Sequence, residues 1–303
     1  MILYCGSGQR GSIAVEGLRL LGYTNVLNMG GGLNAWKAAG LPVAGIVDWT
    51  TVWNDFLTTM PADFYTIKSD VLNGQIAAGN APFMIDVREP AEIEKNGYIK
   101  GAVNLPLRTL LQKLDKLPGL EKPIVVYCAI GHRGAMAMSA LRLLGYDARS
   151  IGGGFNAWAK AKLPVEMGKP DDPVSGTVAV VDPLRLKDLD TFLTGLPENF
   201  YGIKDTDVLA ALGSATPPAV IDVGTADEFK TGYIKGSVNI PLNDLLKDMT
   251  KLPADKAAQF ITVCSAGHRG AVATMALRML GYTSNSIFGG TNAWVADGLP
   301  LEK

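Results

Sequence analysis

The chain contains 303 residues, and its 48% hydrophobic and 8% aromatic content is enough to bury the cores of two ordinary domains. The 28 Lys and Arg residues nearly balance 29 Asp and Glu residues, so the sequence offers no basic surface for a nucleic acid partner. No apolar run approaches the roughly 18 residues that predict a membrane span, and the first residues do not resemble a signal peptide. We therefore expect a globular protein with no membrane partner, cytoplasmic by default; a natural start further upstream would leave periplasmic or extracellular export open.

Taken in chain order, residues 46–166 alternate predicted helices with short apolar strands. A short amphipathic helix is expected to precede the domain, in the segment that ends in "FLTTMP". The further predicted helices are residues 70–78, 107–114, 134–144 and 156–162, and the predicted strands are residues 83–87, 124–127 and 150–151. Strands this short and apolar predict an α/β fold in which helices cover both faces of a parallel sheet. Ligands of such sheets bind beyond the carboxyl ends of the strands.

The same pattern occurs twice in full and once in part. "GYIKGAVNLPL" from Gly97 matches "GYIKGSVNIPL" from Gly232, and the offset of 135 or 136 residues is kept from the first motif of the unit to the last. The opening segment repeats only the back half of this unit. We predict domains at residues 1–43 (a C-terminal half domain), 46–166 and 177–303 (complete domains), with a polar linker at 167–176.

All three cysteines occupy one context, directly after an apolar strand. "LYCGSGQRG", "VVYCAIGHRG" and "TVCSAGHRG" each place Gly three residues and Arg five residues after Cys5, Cys128 and Cys264. An odd number of cysteines at equivalent repeat positions is a poor disulfide framework, and no metal site is expected because C-x-x-C is absent and histidines number two. A glycine loop that opens a helix can turn its backbone N–H groups towards a thiolate and lower the thiol pKa. The alternative is a small buried hydrophobic cysteine.

Other residues near these loops allow two interpretations each. His132 and His268 either add positive potential and shuttle a proton or are solvent-facing loop residues. Asp86 and Asp222, which end apolar strands, are expected to cap neighbouring backbone N–H groups rather than to act as a general acid or base. The position equivalent to Arg88 in the other repeat is a glycine, Gly224, so an arginine there cannot be required by both sites. Trp36, Trp158 and Trp294 are predicted core residues, and the "GGG" stretches lack the lysine and spacing of a phosphate loop.

The ordered motifs "DVRE", "GYIKGAVNLPL", "VVYCAIGHRG", "LRLLGY" and "GGGFNAW" resemble those of the rhodanese-like sulfurtransferases. The resemblance implies tandem domains with five-stranded parallel sheets, in which a loop cysteine accepts a sulfane sulfur as a persulfide and passes it to cyanide or a thiol. Thiosulfate is one expected small-molecule donor, and no cofactor is expected. The resemblance implies that Cys128 and Cys264 carry the sulfur and that Arg133 and Arg269 bind the anionic end of the donor. It also implies that the backbone of residues 129–133 and 265–269 cradles the persulfide, which includes Ala129, Ile130, Gly131, Ser265, Ala266 and Gly267.

Loop length separates this family from related cysteine phosphatases, which place five residues between Cys and Arg. All three loops here have four, and the narrower ring suits one added sulfur atom. Both complete domains keep the cysteine, so both are expected to work. Cys5 and Arg10 keep the loop pattern but lack the preceding half domain, so we expect Cys5 to be inactive here and the unpaired sheet edge to favour self-association. One alternative is a module that holds a persulfide or an anion for a partner protein without turnover. Another is a phosphatase or arsenate reductase, which the short loop disfavours.

Overall fold

A computed structural model describes residues 1–303 except residues 40, 42–44, 174, 177 and 248. The chain forms two compact units, Met1–Val47 and Asp48–Lys303. The predicted boundary at residue 43 and residue 174 of the predicted linker lie outside the described residues. None of the helices in the described part of the chain combines the length and apolar character needed to cross a membrane.

The first unit is small. Strands β1 (Ile2–Leu3) and β2 (Leu27–Asn28) pair in parallel, and they alternate with helices α1 (Gln9–Leu20) and α2 (Gly32–Ala38). Trp36 is 38% exposed, so its prediction as a core residue is wrong. The equivalent Trp158 and Trp294 are buried in larger clusters, each of which packs against a five-stranded sheet.

The second unit contains two complete α/β domains. The first has helices before, between and after five parallel strands in the spatial order β3-β7-β6-β4-β5. Its elements are α3 (Trp49–Thr58), β3 (Thr66–Ile67), α4 (Ser69–Ala77), β4 (Phe83–Asp86), α5 (Pro90–Asn96), β5 (Val103–Asn104), a 3-10 helix (Leu107–Lys116), β6 (Ile124–Tyr127), α6 (His132–Leu143), β7 (Ala148–Ile151) and α7 (Gly154–Lys160).

The second complete domain repeats this architecture with the order β8-β12-β11-β9-β10. Its elements are α8 (Pro183–Thr194), β8 (Gly202–Ile203), α9 (Asp205–Leu212), β9 (Ala219–Asp222), α10 (Ala226–Thr231), β10 (Ser237–Asn239), 3-10 helices (Leu242–Asp244 and Met249–Lys251), β11 (Phe260–Val263), α11 (His268–Met279), β12 (Ser284–Ile287) and α12 (Gly290–Ala296). The predicted α/β fold with tandem five-stranded parallel sheets is confirmed.

Two details depart from the sequence prediction. The segment predicted as a helix at 107–114 is a 3-10 helix that is kinked at Lys113. Helix α5 was not predicted, although Pro90 at its first position and a capping box between Glu89 and Glu92 are helix-start signals.

The two complete domains share one hydrophobic core. Helices α6 and α11, which follow the two cysteines, are buried along most of their length and pack against each other. The leading helices are exchanged: α8 packs against the 3-10 helix Leu107–Lys116 of the first domain, and α3 packs against Leu242–Asp244 of the second. The loops that follow β6 and β11 therefore lie at the contact between the domains.

Candidate functional site

Each cysteine of the complete domains lies at the carboxyl end of the central strand of its sheet. Cys128 follows β6 and Cys264 follows β11, and both loops enter a helix through a left-handed glycine, Gly131 (φ 93°) or Gly267 (φ 81°). Residues with a Cβ rarely adopt this conformation. The glycine therefore lets the chain turn from strand to helix within four residues, and the helix N-terminus faces the same loop as the thiol.

The segments "GGGFNAW" and "FGGTNAW" bind the other side of the two loops. The backbone N–H of Phe155 donates to the carbonyl oxygen of Cys128 at 2.7 Å, and that of Thr291 donates to the carbonyl oxygen of Cys264 at 2.9 Å. A Cβ on Gly154 would collide with the Cys128 carbonyl oxygen. This glycine serves the close approach of two backbone segments, which is a structural role rather than phosphate binding.

The loop arginines are held by carboxylates that the sequence analysis did not single out. Arg133 donates two hydrogen bonds of 2.6 Å to Glu92, and Arg269 donates two of 2.6 Å to Glu228. Both glutamates occupy the sixth position after the strand-ending aspartate, so their match between the repeats was the available signal. A substrate anion that approaches either arginine meets a guanidinium that is already oriented by one carboxylate.

These pairs set the charges next to the sulfur atoms. Hydrogen bonds from Arg269 lower the pKa of Glu228 to about 2. Burial acts against ionisation of Arg133, but hydrogen bonds to Glu92 and the charge of Cys128 raise the pKa of this guanidinium. For Arg269 the same holds, with Glu228 and then Cys264 as the groups that oppose burial. Each cysteine thus lies beside an arginine that stays charged.

Each site is completed by an aromatic side chain from the other domain. The Phe200 ring lies 5.1 Å from the guanidinium carbon of Arg133, and the Phe64 ring lies 4.8 Å from that of Arg269. Both phenylalanines have a left-handed backbone, with φ of 51° and 50°. This conformation is strained for a residue with a Cβ, and such strain is concentrated at functional sites. The matching "DFY" and "NFY" motifs signalled the repeat, but not this contact.

Two cavities at the domain contact reach the cysteines, although each cysteine is only 1% exposed. A cavity of about 460 Å³ is lined by Cys128, Ala129 and Ile130 together with Arg108, Phe200 and other residues. A cavity of about 390 Å³ is lined by Cys264, Ser265 and Ala266 together with Asp63, Phe64 and other residues. Both are large enough for a small sulfur donor.

The loop histidines face the opposite domain. His132 lies 2.8 Å from the carbonyl oxygen of Phe200 and 3.2 Å from Ser286 Oγ, and His268 lies 2.7 Å from Ser150 Oγ. They are 3% and 6% exposed, so the solvent-facing interpretation is wrong. Burial lowers the pKa of each to about 4, and at neutral pH they therefore add no positive potential. They line the two cavities and join the domains.

The strand-ending aspartates cap backbone N–H groups, as the sequence indicates. Asp86 accepts from the N–H of Arg88 at 3.0 Å, and Asp222 accepts from that of Gly224 at 2.7 Å. In the first domain, Asp86 also binds the Arg88 guanidinium, and both side chains are buried. Arg88 is thus part of the support below the loop, and it does not line the Cys128 cavity.

The first unit carries the third loop. Cys5 is partly exposed, and its sulfur accepts a hydrogen bond from the Gly8 N–H at 3.1 Å. Hydrogen bonds from the backbone N–H of Gly11, and then of Gly8 and Arg10, lower the pKa of this thiol to about 7. The Arg10 side chain is exposed, whereas Arg133 and Arg269 are largely buried.

The fold and these loops define an α/β protein with repeated cysteine sites at strand ends. A model of the rhodanese-like domain family matches residues 1–39, 69–161 and 205–297, which is well over half of the chain. The chain therefore belongs to the rhodanese-like family.

Relatives of this chain include named sulfurtransferases. A sulfurtransferase of Allochromatium vinosum is 32% identical over 100 residues, which covers 33% of this chain and 92% of that protein. The 3-mercaptopyruvate sulfurtransferase of Escherichia coli is 30% identical over 173 residues, which covers 49% of this chain and 61% of that protein. The crystal structure of a thiosulfate sulfurtransferase from Pseudomonas aeruginosa is 17% identical and gives a TM-score of 0.36, covering 100% of this chain and 78% of that one.

Proposed function

We propose that this protein is a sulfurtransferase that carries sulfane sulfur as a persulfide on Cys128 and Cys264. The observation that supports this most directly is the repeated arrangement of a cysteine, a helix N-terminus and a glutamate-held arginine at the edge of a cavity. Sulfur transfer requires a cysteine nucleophile and a cation that binds the anionic donor, and this arrangement places the two side by side.

The reaction proceeds in two displacements. The cysteine thiolate attacks the outer sulfur of thiosulfate, the S–S bond breaks, and sulfite leaves with the bonding electron pair. Cyanide or an acceptor thiolate then attacks the outer sulfur of the persulfide, and the cysteine leaves again as a thiolate. Neither displacement needs a cofactor, and the charges of the loop and its arginine stabilise the anions that form.

The donor is thiosulfate in our proposal, and 3-mercaptopyruvate is the alternative because a relative is named for it. Both donors are anions. The Cys128 cavity contains Arg108 in addition to Arg133, and Arg108 forms a 3.5 Å ion pair with Glu89, so a donor anion would compete with this carboxylate for the second cation.

Mass spectrometry of the intact protein tests the persulfide directly. After incubation with thiosulfate and removal of excess donor, we expect the wild-type chain to gain one sulfur atom at each active loop. Cys128→Ser and Cys264→Ser should each lose one gain, and Cys5→Ser reports on the third loop. The three single variants serve as matched controls for one another. The proposal is contradicted if none of them gains the mass of a sulfur atom.

A carrier that forms the persulfide without turnover would show these mass gains and yet produce no thiocyanate from cyanide. Turnover of thiosulfate and cyanide to sulfite and thiocyanate therefore separates the enzyme from the carrier. Hydrolysis of an aryl phosphate would instead support a phosphatase, against which the four-residue loop between cysteine and arginine argues.

A further inference from the structure

The two complete domains differ at one buried position below the cysteine loop. In the first domain, Arg88 is 1% exposed and donates to both carboxylate oxygens of Asp86, at distances of 2.5 to 3.1 Å. It also donates to the carbonyl oxygen of Gly97 at 2.7 Å, and its guanidinium carbon lies 4.1 Å from the centre of the Phe155 ring. The arginine is thus held by a carboxylate, a carbonyl group and an aromatic ring.

In the second domain, the arginine is replaced by Gly224 and the phenylalanine by Thr291. The equivalent carboxylate, Asp222, keeps its place because it accepts from the N–H of Gly224 at 2.7 Å. It is only 4% exposed. Among the residues that the structure describes, no second group donates a hydrogen bond to this carboxylate, since Arg269 donates to Glu228 and Ser265.

The space that the arginine fills in the first domain is open in the second. A cavity of about 250 Å³ is lined by Asp222, Gly224, Gly232 and Thr291, with Leu301 at an apolar wall. Asp222, Gly232 and Thr291 are the equivalents of the three groups that hold Arg88. The cavity therefore keeps the carboxylate that binds the arginine in the first domain, but it lacks both the arginine and the aromatic ring.

We propose that this cavity binds a small organic cation of the guanidinium class, which pairs with Asp222. A buried carboxylate that accepts only one hydrogen bond is incompletely compensated for its lost hydration, and burial raises the pKa of Asp222 against the opposing effects of Gly224 and Arg269. A planar guanidinium can donate to both carboxylate oxygens at once, as Arg88 does to Asp86.

The site lies beside the second cysteine. Ser265 and Glu228 line both this cavity and the cavity of Cys264. A molecule whose cationic end occupies the Asp222 cavity would therefore extend towards Cys264. If the proposed sulfur transfer holds, this placement selects a sulfur acceptor with a guanidinium group for Cys264 and not for Cys128. Binding of the cation itself does not depend on sulfur transfer and is tested without a sulfur donor.

Isothermal titration of the full chain with methylguanidinium chloride tests the site, with methylurea as a neutral molecule of the same shape and sodium chloride as an ionic-strength control. We expect saturable binding of one methylguanidinium per chain and none of methylurea. Gly224→Arg places a tethered guanidinium in the cavity, and it should weaken binding by roughly tenfold or more.

Asp222→Asn is the second variant, because it keeps the size of the side chain and the acceptor for Gly224 but removes the charge. Asp222→Asn should also weaken binding by roughly tenfold. If circular dichroism shows that Gly224→Arg is unfolded, Asp222→Asn alone tests the site. The proposal is overturned if the wild-type chain shows no saturable binding, if methylurea binds equally well, or if folded variants bind as tightly as the wild-type chain. Loss of thiocyanate production alone would not affect this result.

Discussion

The Cys128 and Cys264 sites have the same backbone frame and different surroundings. In both, a left-handed glycine starts the helix and a glutamate holds the loop arginine. Around this frame, the Cys128 site has Arg108 in its cavity and Arg88 below its loop, whereas the Cys264 domain has Asn243 and Gly224 at those positions. The two sites share this frame, and the variable positions change the charged groups around each cysteine.

Arg108 and Asn243 show how one structural role permits such a difference. Arg108 donates to the carbonyl oxygens of Leu196 and Pro197, where the leading helix of the second domain ends. Asn243 donates to those of Leu57 and Met60, at the corresponding place in the first domain. Both side chains join the domains, but only the arginine also brings a positive charge.

The largest effect is expected from removing the nucleophiles. Cys128→Ser should abolish turnover at the first site and Cys264→Ser at the second, and the double variant should lose roughly 10⁴-fold or more in thiocyanate production. The ratio of thiocyanate production by the two single variants measures how unequal the sites are. Substantial activity in the double variant would show that the chemistry lies elsewhere, and Cys5→Ser in the same background would then identify the remaining thiol.

Freeing the loop arginines should have the next largest effect. Glu92→Gln in a Cys264→Ser background, and Glu228→Gln in a Cys128→Ser background, remove the carboxylate that orients the guanidinium. We expect kcat/KM for thiosulfate to fall by roughly 10- to 100-fold in each. The matched pair Glu92→Asp and Glu228→Asp keeps the charge but shortens the side chain. Unchanged kcat/KM in both Gln variants would mean that the arginines need no carboxylate to be positioned.

A smaller effect should separate the two sites by charge. Arg108→Asn gives the Cys128 site the residue of the Cys264 domain, which can still donate to a carbonyl group of the other domain. In a Cys264→Ser background, the KM for thiosulfate should rise by roughly two- to fivefold because one partly exposed cation is lost. Arg108→Lys keeps the charge and should retain most of the affinity. An equal rise in KM for both variants would point to lost packing instead.

The smallest effect on turnover at neutral pH is expected from the histidines, which act on stability in acid. Burial lowers the pKa of His132 and His268 to about 4, while an unfolded histidine titrates near about 6.5. The unfolded chain therefore binds more protons between these values, and the stability of the fold should decline as the pH falls from about 6.5 to 4.

The double variant His132→Gln and His268→Gln removes both titrating groups. Its midpoint of urea unfolding should change less between pH 7 and pH 5 than that of the wild-type chain. The single variants should give intermediate values. If the double variant loses as much stability on acidification as the wild-type chain, the histidines do not govern this pH dependence.

The sequence predicted the fold because its signals are local. The short apolar strands and the helices between them repeat with a constant offset, and the glycine of each cysteine loop marks a turn that few other residues permit. The five-stranded parallel sheets and membership of the rhodanese-like family are confirmed. The roles assigned to individual site residues stay predictions.

What the sequence did not predict depends on contacts between residues that are far apart in the chain. Phe64 reaches Arg269, and His132 reaches Ser286, because the domains pack face to face, and no periodicity within a domain encodes that packing. Glu92 was missed because the helix that carries it was not predicted, and because its partner Arg133 lies 41 residues further along the chain. The difference between Arg88 and Gly224 was visible in the sequence, but the cavity that it leaves was not.

The placement of Phe64 and Phe200 has a consequence for the two copies as a pair. Each copy provides a wall of the other's cysteine cavity, so cutting the chain near residue 167 and separating the halves would leave both cavities open to bulk water. Under the proposed function, oxidation of one cysteine would stop sulfur transfer at one site, whereas unfolding of one copy would stop it at both. The two cysteines are separate, but the enclosure of each depends on the other copy.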